Sequence, residues 1–230
     1  MTWTFRWHSI RVMHVMLQPS AAAPEPSEFD GAASNVHTVQ PSEDRDAERR
    51  RLLELRREIP DALRAAKDEA IADHLRTLLR DVLRGSRPPW RIGGYWPIRD
   101  EPDLRPLFHE LTKGGHRIGL PLVDRAMRPL TFVHWKPHSA MAPGFLGVPV
   151  PTSGNAVYVD LLLVPCVGFS IGADGARHRL GYGGGYYDRT LATRRFKAIG
   201  IAYDNLRAER FEPGPHDIPL DYIVTERGVH

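Results

Sequence analysis

The 230-residue sequence contains a single cysteine, Cys166, so no internal disulfide framework exists and the fold must be held by buried apolar surface. That residue lies inside the apolar run LLLVPCVGF, where a thiol serves as a small buried hydrophobe and not as a nucleophile. No stretch approaches the roughly 18 apolar residues of a membrane helix. The formal charge of +3 is scattered, with no block of five or six like charges, which argues against a nucleic-acid-binding role. None of the eleven histidines stands at metal-ligand spacing from another. GFS lacks the strand-to-helix elbow of a hydrolase nucleophile, and no glycine pattern matches either the P-loop or the dinucleotide fingerprint. What is present, 42% hydrophobic and 26% charged residues, suffices for the core of one ordinary globular domain.

The first 43 residues are expected to be an appended extension. They run from an Arg- and His-containing start with no acid before Glu25, faintly like a targeting segment, into an Ala/Pro/Ser/Glu-rich stretch without period. The folded domain is then expected over 44–230. A helix starts near Ser42 and stops before Pro60; a second opens at Asp61, with Leu63, Ala66, Ala70, Ile71, Leu75, Leu78, Leu79 and Val82 on one face.

Beyond GSRPP, RIGGYWPI reads as a strand, PDLRPLFHELTKGG as a helix ending on Gly114 and Gly115, and RIGLPLV as the next strand. This is a β-α-β unit, which implies a parallel pair. PLTFVHW alternates as a strand, and MAPGFLGVPVPTSGNA reads as a long loop. LLLVPCVGF has the continuous apolar character of a buried central strand. A turn at Gly172–Gly175, the loop RLGYGGGYYDRTLA leading into a helix, the strand AIGIAY and a last short strand in IPLDYIVT complete the order. The expected fold is therefore α/β: a single domain with a mostly parallel sheet flanked by helices in three Rossmann-like layers.

The loop is the chemically suggestive part. Gly181, Gly183, Gly184 and Gly185 carry no side-chain bulk, so backbone N–H groups can converge on an anion at the start of the following helix. Arg179 before the glycines suits a phosphate, and Asp188 after them suits a divalent cation bridging phosphate oxygens. Tyr182, Tyr186 and Tyr187 offer flat faces to a heterocycle. Spacing alone leaves the ligand open, and a flexible turn remains the alternative.

The stretch LLLVPCVGFSIGADGARHRLGYGGGYYDRTLA resembles the signature of the 5-formyltetrahydrofolate cyclo-ligases: a buried strand ending in proline, then a Gly-Phe pair, a turn, an Arg-Leu-Gly entry and a Gly-Tyr-Tyr-Asp-Arg exit. The similarity extends from about Arg45 to Thr225 and takes in YWPIRDEPDLRPLFHELTKGGHRIGLPLV and HDIPLDYIVT. The resemblance implies ATP as co-substrate with magnesium, and closure of 5-formyltetrahydrofolate to 5,10-methenyltetrahydrofolate. It implies that Arg179, Leu180, Gly181, Tyr182, Gly183, Gly184, Gly185, Tyr186 and Tyr187 wrap ATP, with Tyr182 to Tyr186 also near the folate and Arg179 and Tyr186 as catalytic groups. It further implies Asp188 and Asp217 on the metal, Glu101 and Trp96 on the pterin, and Arg45 with Arg49 on ATP. A register shift would select Arg49 with Arg56 or Arg57. A monomer in the cytoplasm, with no nucleic-acid or membrane partner, completes the expectation.

Two departures stand out. Tyr182 and Gly184 occupy loop positions where many members of the family carry Lys or Arg, and the extension has no counterpart in the family core. They leave two alternatives: a diverged paralogue using ATP on another formyl-bearing or heterocyclic substrate, and a non-catalytic nucleotide- or folate-binding protein.

Overall fold

The computed structural model describes residues 41–85, 88–123, 126 and 128–230. The expected extension at 1–43 falls almost wholly outside them. Helix α1 (Pro41–Arg57) and helix α2 (Asp61–Val82) are separated by Pro60, which lacks the N–H a continuous helix would need. Strand β1 (Arg91–Gly93), helix α3 (Arg105–Lys113) and strand β2 (Arg117–Leu122) form the expected β-α-β unit, with Ile92 beside Ile118 in parallel register. After α3 the backbone reverses at Gly115, whose φ of 84° favours glycine. Strand β1 is shorter than RIGGYWPI suggests, because residues from Gly94 onward leave the sheet and carry Glu101 away from it.

Strand β3 (Thr131–Trp135) pairs antiparallel with β2 at one edge. The Pro/Gly-rich segment expected to be a loop holds a small hairpin, β4 (Met141–Pro143) with β5 (Pro149–Pro151). Strand β6 (Leu161–Pro165) lies between β1 and β9 (Lys197–Ile201), parallel to both. The turn at Gly172–Gly175 is the tip of a second hairpin, β7 (Gly168–Ile171) with β8 (Arg177–Leu180). The glycine loop leads from β8 into helix α4 (Tyr186–Thr193), and strands β10 (Tyr222–Thr225) and β11 (Gly228–Val229) close the other edge. The main sheet has seven strands in the order β11-β10-β9-β6-β1-β2-β3, the inner five parallel and the two edges antiparallel.

Alternation along β6 divides the core between the two faces. Leu161 and Leu163 face the cluster built with Leu52 of α1, Leu75 and Leu79 of α2 and Phe108 of α3. Leu162 and Val164 face the cluster that includes Leu191 of α4. Helix α2 buries Ile71, Ala72, Leu75, Leu78 and Leu79, but Leu63 is half exposed, so the apolar stripe begins two turns later than periodicity predicts. Among the described residues no helix is long and apolar enough to cross a membrane.

The chain leaves β1 toward β2 on one side, while β6 pairs on the other, so the sheet order reverses between β1 and β6. Segments leaving the carboxyl ends of these strands diverge and open a crevice, the usual ligand position in such sheets.

Candidate active site

Three chain segments meet at this crevice: the α1 face carrying Arg45, Arg49 and Arg56, the turn after β1 carrying Glu101, and the glycine loop. On a helix, steps of four and then seven residues return to nearly the same azimuth, so these three arginines share one face. The Arg49 Nε donates to the Gly181 carbonyl at 2.7 Å, and its guanidinium lies beside the place where a side chain on Gly183 would project. Gly183 and Gly185 take φ values of 92° and 64°, which a side chain would strain, and Gly185 directly precedes α4.

Two acid–arginine pairs flank the loop. Arg45 holds Asp217 through Nη2, at 2.9 and 3.1 Å to its two carboxylate oxygens. Arg179, only 7% exposed at the end of β8, pairs with Asp188 at 2.7 Å and stacks 5.8 Å from the Tyr187 ring. The Asp188 carboxylate also accepts the backbone N–H of Ile218 at 3.1 Å, which brings the two acids to neighbouring positions. Carboxylate oxygens are the donors magnesium prefers, and it commonly takes one or two of them together with substrate phosphates. Among the described residues no group of three or more potential ligands could hold a metal alone. The donor set therefore fits magnesium only if phosphates complete the shell and the arginines yield part of their hold.

At the inner end of the loop the Tyr182 hydroxyl accepts from Arg56 Nη2 at 2.5 Å and donates to Glu101 Oε1 at 3.0 Å. Arg56 is fully buried, and its Nη1 donates to the Cys166 carbonyl at 3.3 Å. Glu101 is 4% exposed, its Oε2 accepts the Ile98 N–H at 3.0 Å, and burial pushes its carboxyl above the usual carboxylate range. Burial likewise raises Tyr182 and Tyr187 well above the ordinary phenol, so both stay protonated donors. Cys166, pushed up to about 12 by burial, is an inert thiol.

The remaining predicted residues take lesser positions. Leu180 is fully buried, so only its backbone can face a ligand. Tyr186 packs against the core at the start of α4 with the Arg189 guanidinium 5.0 Å from its ring, and Arg189 Nη2 donates to the Gly184 carbonyl at 2.7 Å. Trp96 packs on the same core cluster as Tyr182, with the Arg105 guanidinium 5.0 Å from its ring. Arg49 reaches the loop at the Gly181 carbonyl and Arg56 at the Tyr182 hydroxyl, while Arg45 reaches Asp217 in the segment before β10. Arg99 escaped sequence reasoning; it stands in a left-handed conformation, φ 49°, with its guanidinium 5.3 Å from the Tyr182 ring, a position no local pattern announces.

Comparison with known proteins gives the family. A sequence model of the 5-formyltetrahydrofolate cyclo-ligase family matches residues 41–226. A 5-formyltetrahydrofolate cyclo-ligase from Mycolicibacterium smegmatis is 30% identical over 193 residues, 77% of this chain and 92% of that protein. The protein of the same name from Escherichia coli K12 is 32% identical over 138 residues, 56% of this chain and 74% of its own. Among solved structures, the Aquifex aeolicus 5,10-methenyltetrahydrofolate synthetase superposes with a TM-score of 0.67 at 29% identity, covering 81% of this chain and 91% of that one. The Mycoplasma pneumoniae synthetase gives 0.61 at 28% identity, covering 80% and 99%. The family model's match over residues 41–226 means that this chain belongs to the 5-formyltetrahydrofolate cyclo-ligase family.

Proposed function

We propose that the chain closes 5-formyltetrahydrofolate to 5,10-methenyltetrahydrofolate at the expense of ATP, releasing ADP and phosphate. The observation that carries this reading is Tyr182: one residue of the glycine loop that would wrap phosphates also touches Glu101, so nucleotide and second substrate meet across a single side chain. In the first step the formyl oxygen attacks the γ-phosphorus, the bond to ADP breaks, and ADP leaves. In the second, the neighbouring folate nitrogen attacks the activated carbon and gives up its proton to the departing phosphate or to solvent; the carbon–oxygen bond breaks, and phosphate departs with that oxygen.

Such a reaction asks the protein for positioning and charge neutralisation more than for covalent help. Arg179, Arg45 and Arg49 offset phosphate charge, and the N–H groups of Gly181 to Tyr187 line the phosphates at the start of α4. Glu101 accepts donors from the pterin ring. The Tyr186 ring, at the junction of loop and helix, faces the transferred group. Magnesium, when bound with the nucleotide, would be held by Asp188 and Asp217 and would neutralise developing phosphate charge. We take the enzyme to act as a monomer in the cytoplasm.

The test is growth of methenyl-folate absorbance with 5-formyltetrahydrofolate, ATP and magnesium, comparing the parent with Asp188→Asn. An ATP-dependent rise in the parent, reduced about 10²-fold in the variant, is expected. Binding of ATP without any rise would discard the reaction and favour the paralogue acting on another substrate; binding of both ligands without turnover would favour a binding protein.

A further inference from the structure

A fully buried arginine is costly unless its charge is matched, and removing its partner is costlier still. Among the described residues Arg56 has no acid in direct contact. Its two terminal nitrogens go to the Tyr182 hydroxyl and the Cys166 carbonyl, and its Nε has no partner among the described residues. A matching charge, Glu101, lies one hydroxyl away. Because Arg56 fills an acceptor site of Tyr182, the phenolic hydrogen is free to point at Glu101. The order Arg56 to Tyr182 to Glu101 thus has a single consistent direction of donation.

We infer that Arg56 is a positioning residue, which holds the Tyr182 hydroxyl as a donor to Glu101 and so keeps that carboxylate fixed as an acceptor for the folate. The inference rests on the proposed reaction only in naming the ligand. Groups facing Glu101 from the packed elements are Arg56 of α1, Tyr182 and Tyr187 around the glycine loop, Tyr95, Cys166 and, on its own turn, Arg99. Burial raises the Glu101 carboxyl, while the Ile98 N–H, Arg56, Tyr182 and Arg99 act against that. Loss of Arg56 removes one of the opposing influences, so Glu101 takes up its proton at a higher pH. A protonated carboxyl is a poorer acceptor, so folate affinity, which falls as pH drops through this value, begins to fall sooner.

The experiment measures folate KM, ATP KM and kcat for the parent, Arg56→Met, Arg56→Lys and Glu101→Gln over about pH 5 to 9, with calorimetric binding of 5-formyltetrahydrofolate alongside. Arg56→Met should raise folate KM about tenfold at neutral pH, move the acid limb upward by about one unit, and leave ATP KM nearly unchanged. Arg56→Lys should recover part of the loss, since one ammonium keeps the charge but not the fork. In the Glu101→Gln background the same Met substitution should change folate KM less than about twofold, because its target is gone. Tyr182→Phe cuts the chain at its centre while leaving the Arg56 charge and its Cys166 contact in place, and serves if Arg56→Met does not fold; it should show the same shift of the acid limb. An unmoved acid limb, or full additivity with Glu101→Gln, would make Arg56 a packing residue and overturn the inference. A parent that binds folate without turnover would remove the proposed reaction, while the binding curves still decide the role of Arg56.

Discussion

The two ends of the glycine loop solve the same charge problem in different ways. At the outer end, Arg45–Asp217 and Arg179–Asp188 are direct ion pairs, and three of their four side chains are 15–30% exposed. At the inner end, Arg56 and Glu101 are almost completely buried and joined through a tyrosine hydroxyl. A partly hydrated pair can change partners when a polyanion arrives, since water lowers the cost of the intermediate arrangement. A buried, hydrogen-bonded series has no such freedom. The outer end is thus suited to a ligand that brings its own charge and metal, and the inner end to a neutral heterocycle that must be met by fixed acceptors.

The largest effect expected from breaking this contrast is at Arg179, the one nearly buried member of the outer pairs. Arg179→Ala should lower kcat by about 10²- to 10³-fold, because it removes the charge proposed to meet the phosphates and leaves Asp188 uncompensated. Arg45→Ala, on a side chain 30% exposed, should act mainly on ATP KM, by about tenfold, with a small change in kcat. Steady-state kinetics with varied ATP separates the two. Equal losses in kcat would mean that exposure does not grade the outer end, and the comparison would need redrawing.

Much of this arrangement was legible in the sequence, for local reasons. The β1-α3-β2 unit, the central strand β6 and the glycine loop running into α4 each follow from a short pattern of apolar residues and glycines. Hairpin β4–β5 was not, because its strands are three residues long and built on Pro143, Pro149 and Pro151, which read as loop. Hairpin β7–β8 was seen only as its tip, since RHRL has no apolar alternation. Leu63 fitted the apolar period of α2 yet is half exposed, because the buried stretch of that helix begins at Ile71. The site pairs are further from sequence reach: Arg45 and Asp217 are 172 residues apart, and Tyr182 and Glu101 are 81 apart. Spacing cannot join such residues, and only the resemblance placed them in one site. Arg56 was accessible through helical periodicity, as a third member of the face of Arg45 and Arg49, but periodicity alone offered it as a rival register.

A smaller effect, on stability, should touch both ends together. Helix α1 carries Arg45 of one end and Arg56 of the other, and it approaches hairpin β7–β8 at Gly168, where an added methyl would meet the Leu52 side chain and stand 2.9 Å from the Leu206 carbonyl oxygen. The carbonyl cannot turn aside as a flexible side chain can, so Gly168→Ala should destabilise the fold by about 1–3 kcal/mol, read as a lower Tm. Because α1 would be pushed as a body, ATP KM and folate KM should rise in parallel. A rise in only one would show that the two ends are anchored independently of α1.

The smallest change is expected where neither end is involved. Arg76 of α2 holds Glu110 of α3 through two bonds of 2.8 and 2.9 Å and also contacts Asp73 and Glu69. The Glu110 side chain is 52% exposed, so water competes for the pair and most of the Coulombic gain is lost to screening. Arg76→Ala should cost less than about 1 kcal/mol, and less at high salt, with KM and kcat unchanged. The physical reason for the invariance is distance along the packing: α2 and α3 meet the sheet through Leu75, Leu79, Leu107 and Phe108, which the substitution leaves in place. A change in folate KM from this variant would mean that α3 transmits to the Glu101 turn that precedes it, and the fixity ascribed to the inner end would then depend on a surface ion pair rather than on burial.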